Sequence, residues 1–419
     1  MYSRWYTHVL RQRLTRPFVQ VVFGPRQAGK STLIHRALPP EAMRIDLADP
    51  RQHQRLQANP GELVARCEAL PPRDTPYTVF IDEAQKVPAL FDAVQFLYDA
   101  DRREGRTPPR FRFVLCGSSA RRLRTSGANL LPGRSQLHHL HPLVLDEHPA
   151  PGGLPEPRLL PLPPPPPGAD DLPPFPAWDL LDRLAYGGLP GVVAAAPEDR
   201  AEVLRSYAAI HLAEEVRNET ALRDLGAFLR FVRLAALESG QVINYSALAQ
   251  EVGLTHNTVK GHYQILEDMF LGTPLPAFTR SPRKGVLSTP RFLFFDLGVR
   301  HAAADLTPSH DVVRANPGPI FEQWVALELW RRLKYLGDGQ LWHFRTKDGS
   351  EVDLIVERGG HLTPIEVKWT EHPQRSDARH LLSFLRDHPD EAAHGYVVCR
   401  CPHAMRLDDR VTALPWQCL

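Results

Sequence analysis

Lysine is scarce in this 419-residue chain, with seven lysines standing against forty-three arginines. The bias reflects genomic composition, and it marks each lysine as a position where arginine does not serve. Long apolar runs are also missing. No stretch reaches eighteen apolar residues, and the opening "MYSRWYTHVLRQRL" lacks the continuous apolar core of a signal peptide. The expectation is a cytoplasmic protein with no membrane contact. Cysteines number five, at Cys67, Cys116, Cys399, Cys401 and Cys418. This odd, scattered set excludes a disulfide framework and a paired CxxC site. Cys399, Cys401 and His403 can hold a soft metal, and the plainer reading is a strand ending in buried thiols. Strong charge is absent as well: the net value is +2, so any nucleic-acid surface has to be local.

What the chain does have is length and apolar side chain. A hydrophobic fraction of 43% and a charged fraction of 23% are those of a globular protein with several cores, and the length predicts about two to four domains. Proline crowds into "PAPGGLPEPRLLPLPPPPPGADDLPPFPAW", a semi-rigid connector that can also recruit a proline-binding partner. The predicted organisation is 1–147, a parallel-sheet α/β domain; 148–178, the proline-rich insert; 179–240, a helical bundle; 241–305, a winged helix; and 306–419, a second α/β domain.

The first scarce lysine lies in "VQVVFGPRQAGKSTLI". Val19, Val21, Val22 and Phe23 form a short apolar strand. Gly24, Pro25, Arg26, Gln27, Ala28, Gly29, Lys30 and Ser31 then match the whole P-loop pattern, and Thr32 continues into a helix. Glycines allow backbone N–H groups to turn inward around phosphates, and the helix N-terminus adds positive potential. Lys30 reaches the β- and γ-phosphates of ATP, and the Ser31 hydroxyl ligates Mg²⁺. The second element is "YTVFIDEAQ", a buried strand ending in Asp82, which would hold Mg²⁺ through water, and Glu83, which would polarise the attacking water. A strand candidate, "MRIDLAD", lies between the two, a spacing that suits the ATPase branch carrying a catalytic glutamate. "FRFVLCGSS" ends in Ser118 and Ser119, read either as a γ-phosphate sensor or as a simple turn. Arg134, on a glycine turn before a fifth strand, is open to three readings: a finger on a neighbouring subunit's ATP, a ligand of its own nucleotide, or a solvated loop residue. Arg121, Arg122 and Arg124 compete for the first.

Further on, "INYSALAQEVGLTHNTVKGHYQILEDMF" predicts a helix-turn-helix. A helix from Ser246 ends at Gly253, Thr255 caps the next, and Val259, Tyr263 and Leu266 share one face. Two strands follow around a tip bearing Arg280, Arg283 and Lys284. The second helix offers Asn257, Thr258, Lys260 and His262, but also Glu267 and Asp268, which leaves DNA contact and a packing role both open.

In "GPIFEQWVALELWRRLKYLG" an apolar stripe of Phe321, Val325, Leu329 and Leu333 shares its side of the helix with Glu322. An acid there needs a partner or a metal. Two strands downstream carry Asp353, then Glu366 and Lys368 on one face. Three carboxylates, Glu322, Asp353 and Glu366, can make an oxygen-lined Mg²⁺ site in which Lys368 positions a water or stabilises a pentacovalent phosphate. The bland reading is a solvated strand with alternating charge.

Taken in order, "GPRQAGKSTLI", "FIDEAQ", "CGSSARRL", "PGR", "YGGLP", "INYSALAQEVGLTHNTVKGHYQILE", "FLFFDLG" and "GSEVDLIVE…IEVK" resemble the prokaryotic AAA-type P-loop ATPases with a winged-helix and PD-(D/E)XK nuclease-like C-terminal region. The resemblance implies ATP binding and hydrolysis on Lys30, Ser31, Asp82 and Glu83, with Ser118 or Ser119 as polar sensor and Arg134 as candidate arginine. It also implies an ASCE/AAA-type parallel sheet, then a winged helix, then a restriction-endonuclease-like domain. The proline-rich insert departs from the usual pattern. Two functions are carried forward. One is an ATP-driven machine acting on DNA, as a homo-oligomer or otherwise; the other is a nucleotide-gated switch whose C-terminal part binds a partner without chemistry.

Overall fold

Apolar strands followed by polar turns give this chain two compact units, Arg4–His141 with Asp268–Phe270, and the remainder from Pro142 onward with residues 1–3. The computed structural model describes residues 2, 4–118, 131–147, 179–212, 214, 216, 224–279, 288–346 and 349–419. Ser119, Arg121, Arg122, Arg124, the proline-rich insert and the tip residues Arg280, Arg283 and Lys284 lie outside the described residues. Among those described, no helix is long and apolar enough to cross a membrane.

The first unit holds five strands: β1 (Val19–Phe23), β2 (Met43–Asp46), β3 (Tyr77–Asp82), β4 (Phe111–Gly117) and β5 (Ser135–His139). All pair in parallel in the order β2-β3-β4-β1-β5. Parallel strands are covered on both faces, so their sequences read as unbroken apolar runs, and β1 is buried at every position. Gln20 is the polar exception. Its Oε1 accepts from His138 Nε2 at 2.6 Å, and Tyr6 donates to the other ring nitrogen. Burial lowers His138 to about 4 and raises Tyr6 to about 12, so both stay neutral. β4 lies between β1 and β3, the arrangement of a P-loop NTPase α/β fold with an interposed strand. Because all strands run one way, the segments that leave β1, β3 and β4 emerge on one edge of the sheet, where ligands of such sheets bind.

In the second unit, helices Leu225–Leu237, Tyr245–Val252 and His256–Asp268 precede a hairpin of β6 (Gly272–Leu275) and β7 (Arg291–Phe294). Gly253, at φ +71°, closes the second of these helices. Thr255 Oγ1 accepts from Thr258 N at 3.2 Å to start the third. Val259, Tyr263 and Leu266 are buried together, as their spacing predicts. Then follow β8 (Gln340–Arg345), β9 (Glu351–Arg358), β10 (His361–Val367), β11 (Gly395–Cys399), β12 (Met405–Asp408) and β13 (Val411–Pro415). They form a mixed sheet in the order β12-β13-β11-β10-β9-β8. The helix Pro317–Leu336 covers one face and Arg379–Asp387 contributes to the core on the other. The parts read as separate segments share a continuous core running from Leu145 through Leu297 and Phe321 to Leu419.

The long helix is buried well beyond its predicted stripe, and Gln323, Glu328, Arg331 and Arg332 are buried with it. Each charge is held. Glu328 accepts from Leu145 N at 2.8 Å and pairs with Arg332 at 2.7 Å, while Arg331 donates to the carbonyls of Leu143 and Phe295. The "YGGLP" turn locks onto this core through Asp296, whose carboxylate accepts from Gly188 N at 2.7 Å. Gly187 has φ +73°, and a Cβ there would lie 2.1 Å from an Asp296 oxygen. Glycine is required at that position by backbone and by space alike.

Candidate functional site

The loop after β1 is shaped by residues that tolerate left-handed backbone. Gly24 has φ +151°, Gln27 +60° and Gly29 +90°. A Cβ on Gly24 would lie 2.1 Å from the Leu140 carbonyl oxygen, so the loop packs against the end of β5 only as glycine. Arg4 braces it from below, donating to the Ala28 carbonyl at 2.7 Å and to that of His141 at 2.6 Å. Pro25 and Ala28 are buried, Arg26, Gly29 and Ser31 are half-buried, and Gln27 and Thr32 are exposed. Lys30 opens the helix Lys30–Ala37 and is itself buried. Its Nζ donates to the carbonyls of Gly24 and Pro25 at 2.9 and 2.8 Å.

Opposite the loop stand the acids. Asp82 ends β3, buried, and accepts from Glu83 N at 3.0 Å. Glu83 follows in left-handed backbone at φ +54°, a costly conformation for a residue that is not glycine and one concentrated at functional sites. Cys116, at the end of β4, is pushed well above the ordinary thiol range by burial first and by Asp82 second, with Lys30 opposing. That thiol therefore feels the lysine and the acids together. The Gln85 amide closes the cluster, donating to Glu83 Oε2 at 2.5 Å and to Ser118 Oγ at 3.2 Å. A buried lysine, a hydroxyl at the start of a helix and an acid at a strand end are the donor set that fits a nucleoside triphosphate with Mg²⁺: Lys30 for phosphate oxygens, Ser31 and Asp82 for the ion.

Arg134 is not part of this gathering. β5 runs parallel to β1 with Ser135 opposite Val19, so Arg134 lies at the end of the sheet away from its own P-loop. Its guanidinium holds Asp99 through two bonds, 2.7 and 3.1 Å, and that hydrogen bonding keeps the Asp99 carboxyl below its usual range. The reading of Arg134 as a ligand of its own nucleotide is thereby corrected, because strand direction carries it away.

The C-terminal acids come together less completely. Asp353 and Glu366 lie on adjoining strands, and Asp353 Oδ2 accepts from Val367 N at 2.8 Å. Lys368 Nζ stands 2.7 Å from Glu366 and 3.9 Å from Asp353. Burial, then the Asp353 charge, raises Glu366 to about 8, and the same two causes raise Glu322 to about 7. Burial works against the Lys368 cation, but the two acids outweigh it and its pKa rises. Glu366 Oε1 is buried without a hydrogen-bond partner, as a ligand oxygen would be. Glu322, however, is engaged by Arg291, which also holds Glu351 at 2.5 Å. Glu322, Asp353 and Glu366 do not close to within 4.8 Å of one another as a trio. The acid on the helix has found a partner, so the expected three-carboxylate cage reduces to a two-carboxylate and lysine set beside an arginine-held third. Asp353 and Glu366 offer oxygens that fit a single hard cation, with the Lys368 ammonium beside them.

Among the described residues, Asp179, Asp182 and His310 do close to 4.8 Å. Asp179 caps a helix there, and Asp182 is shared between His310 at 3.0 Å and Arg200 at 3.6 Å. Cys399 and Cys401 are buried, in keeping with the plainer reading of those thiols. Arg4, Gln85 and Arg291 were not singled out by the sequence reasoning. Only Gln85 had a signal, two residues beyond Glu83 within "FIDEAQ".

Comparison with known proteins places families along this architecture. Residues 16–148 match the family described as an AAA domain. Residues 177–310 and 317–419 match two domains of unknown function, DUF8612 and DUF4143. Two mycobacterial relatives, "Uncharacterized protein Rv2008c" of Mycobacterium tuberculosis and "Uncharacterized protein Mb2031c" of Mycobacterium bovis, are each 26% identical over 411 residues, 97% of this chain and 82% of theirs. Among solved structures, the Aeropyrum pernix Orc1 protein in complex with DNA has a TM-score of 0.28 at 15% identity, over 74% of this chain and 93% of that one. Cdc6p of Pyrobaculum aerophilum has 0.28 at 12% identity, over 76% and 92%. Those two overall similarities are low. Sheet order, loop and family match agree on one part of the chain: residues 16–148 are an AAA-type P-loop domain.

Proposed function

We propose that the chain binds ATP with Mg²⁺, hydrolyses it at Lys30, Ser31, Asp82 and Glu83, and acts on or with DNA through its second unit. The observation that carries the first part is the convergence of a buried lysine, Asp82, Glu83 and Ser118 on the edge of one parallel sheet. Lys30 exchanges its bonds to the Gly24 and Pro25 carbonyls for phosphate oxygens, a swap that keeps its charge hydrogen-bonded throughout. Ser31 and, through water, Asp82 would hold Mg²⁺, and the ion would offset charge building on the phosphates. Glu83 orients the attacking water and takes up its proton. With Glu83→Gln, phosphate release is expected to fall about 10²-fold or more while ATP stays bound, because the base is lost and the phosphate ligands are kept. Unchanged phosphate release would remove Glu83 from that role.

Support for the DNA part comes from the helix His256–Asp268. Asn257, Thr258, Lys260, Gly261 and Gln264 are exposed, whereas Glu267 and Asp268 are half-buried. Gly261 meets nothing within 4 Å of where a Cβ would lie. Glycine costs a helix about 1 kcal/mol relative to alanine, so its presence on an open face suits the close approach of another molecule, here a DNA groove read by amides and a lysine. Lys260→Glu is expected to weaken duplex binding at least tenfold at low salt by fluorescence anisotropy; equal affinity would leave this helix out of the contact. A second reading, a nucleotide-gated switch whose C-terminal part only binds a partner, is favoured by one observation. Arg291 neutralises Glu322 beside Asp353 and Glu366, which leaves fewer ligands for a cleaving metal ion.

A further inference from the structure

We infer that Gln85 is a positioning residue for ATP hydrolysis, tying the Glu83 carboxylate to the Ser118 hydroxyl. The inference rests on the hydrolytic reading above and names a residue which that reading does not use. Gln85 sits in the single turn Ala84–Lys86 that follows β3, and it is 4% exposed. One amide nitrogen carries both of its useful bonds, to Glu83 Oε2 at 2.5 Å and to Ser118 Oγ at 3.2 Å. Its two N–H groups are thereby divided between the strand that would activate water and the strand that would sense phosphate.

The other end of the same side chain argues against a role in packing alone. Gln85 Oε1 is buried without a hydrogen-bond partner. It faces Gly117, where a Cβ would come within 2.5 Å of it. Burying a carbonyl that makes no bond is unfavourable, and an apolar side chain of similar volume would fill the space without that cost. The amide is therefore kept for its donors, and β4 ends in a glycine that makes room for it. Glu83 is already committed to left-handed backbone, so the amide bond fixes the remaining freedom of its carboxylate. One oxygen is held by Gln85 and the other is left for water. The Ser118 hydroxyl can donate its proton to a phosphate oxygen while its lone pair still accepts from the amide, so phosphate, hydroxyl, amide and Glu83 carboxylate form one chain of hydrogen bonds. Occupancy at Ser118 is felt at Glu83 through this one side chain.

The test uses the full chain and compares wild type, Gln85→Ala and Gln85→Glu in steady-state phosphate release across pH, with equilibrium binding of a fluorescent ATP analogue and thermal melting alongside. Gln85→Ala is expected to lower kcat about 10²-fold, as loss of alignment does, with KM, analogue affinity and melting temperature close to wild type. Gln85→Glu keeps the shape and removes the donors. A carboxylate beside Glu83 makes the pair hold a proton more tightly, so the acid limb of kcat is expected to move to higher pH. A wild-type kcat in Gln85→Ala overturns the inference. So does a parallel loss of kcat, analogue affinity and melting temperature in both variants with no movement of the pH profile. Absence of turnover in the wild type would instead fell the hydrolytic reading beneath it.

Discussion

Lys30→Ala is expected to eliminate ATP turnover and to weaken nucleotide binding, the largest single effect available in the first unit. Lys30 is buried at the head of a helix, and its charge is balanced by two loop carbonyls at 2.8 and 2.9 Å. Those are neutral acceptors that it can exchange for phosphate oxygens. Removal of one positioned donor aimed at developing charge costs about 10²–10³ in kcat, and the same side chain also supplies ground-state attraction, so affinity falls as well. Arginine is the sharper control. A chain with forty-three arginines and seven lysines keeps lysine here. The planar guanidinium cannot fold back onto the Gly24 and Pro25 carbonyls and then serve as a compact point charge. Lys30→Arg is therefore expected to remain folded, with a melting temperature near wild type, and to be as inactive as Lys30→Ala. Phosphate release and fluorescent-nucleotide titration measure both; turnover persisting in Lys30→Ala would end the assignment of this loop.

How much of this could be read from residues alone follows from the range of each interaction. The loop and the strand ending in Asp82 and Glu83 were legible because a parallel strand is a continuous apolar run and the P-loop is contiguous in sequence. The turn at Gly253 and the cap at Thr255 were legible for the same local reason. Arg134 was not. A glycine turn before a strand looks the same at either end of a sheet, and only the parallel pairing of β5 with β1 shows that it leads away from the loop. Gln85 bonds Ser118 across 33 residues, and Arg291 reaches Glu322 across 31. Neither contact leaves a periodicity to find. The helix Pro317–Leu336 announced one apolar stripe, yet Glu328, Arg331 and Arg332 are buried too. Glu328 and Arg331 meet backbone groups of residues 143, 145 and 295, and Arg332 pairs with Glu328 and Asp146, contacts that are invisible until the chain has folded around the helix.

The acidic cluster of the second unit is expected to hold a proton in the folded chain well into the neutral range and to release it to solvent when a divalent cation binds. Glu366 is raised from 4.5 to about 8, by burial first and by Asp353 next. Between those values the folded chain binds more protons than the unfolded one, so this group's contribution to stability falls as pH rises through that window. Glu366→Gln removes the carboxylate, and is expected to flatten the slope and to stabilise the chain at pH 8 by on the order of a few kcal/mol. Mn²⁺ should act the same way from outside, binding Asp353 and Glu366 and displacing the proton that Glu366 holds. At a hundredfold excess over its Kd it adds about 2.7 kcal/mol, seen as a melting temperature that rises with metal more at pH 8 than at pH 6. Asp353→Ala is expected to abolish that rise, together with any Mg²⁺- or Mn²⁺-dependent cleavage of single-stranded, duplex or branched DNA. Arg291→Gln, which frees Glu322, tests whether the third acid can join. If it is a latent ligand, the metal-dependent shift grows; if it only serves the ion pair, the variant loses stability and the shift stays as it was. Equal metal stabilisation of wild type and Asp353→Ala would place the ion elsewhere and leave Lys368 as a structural partner of Glu366.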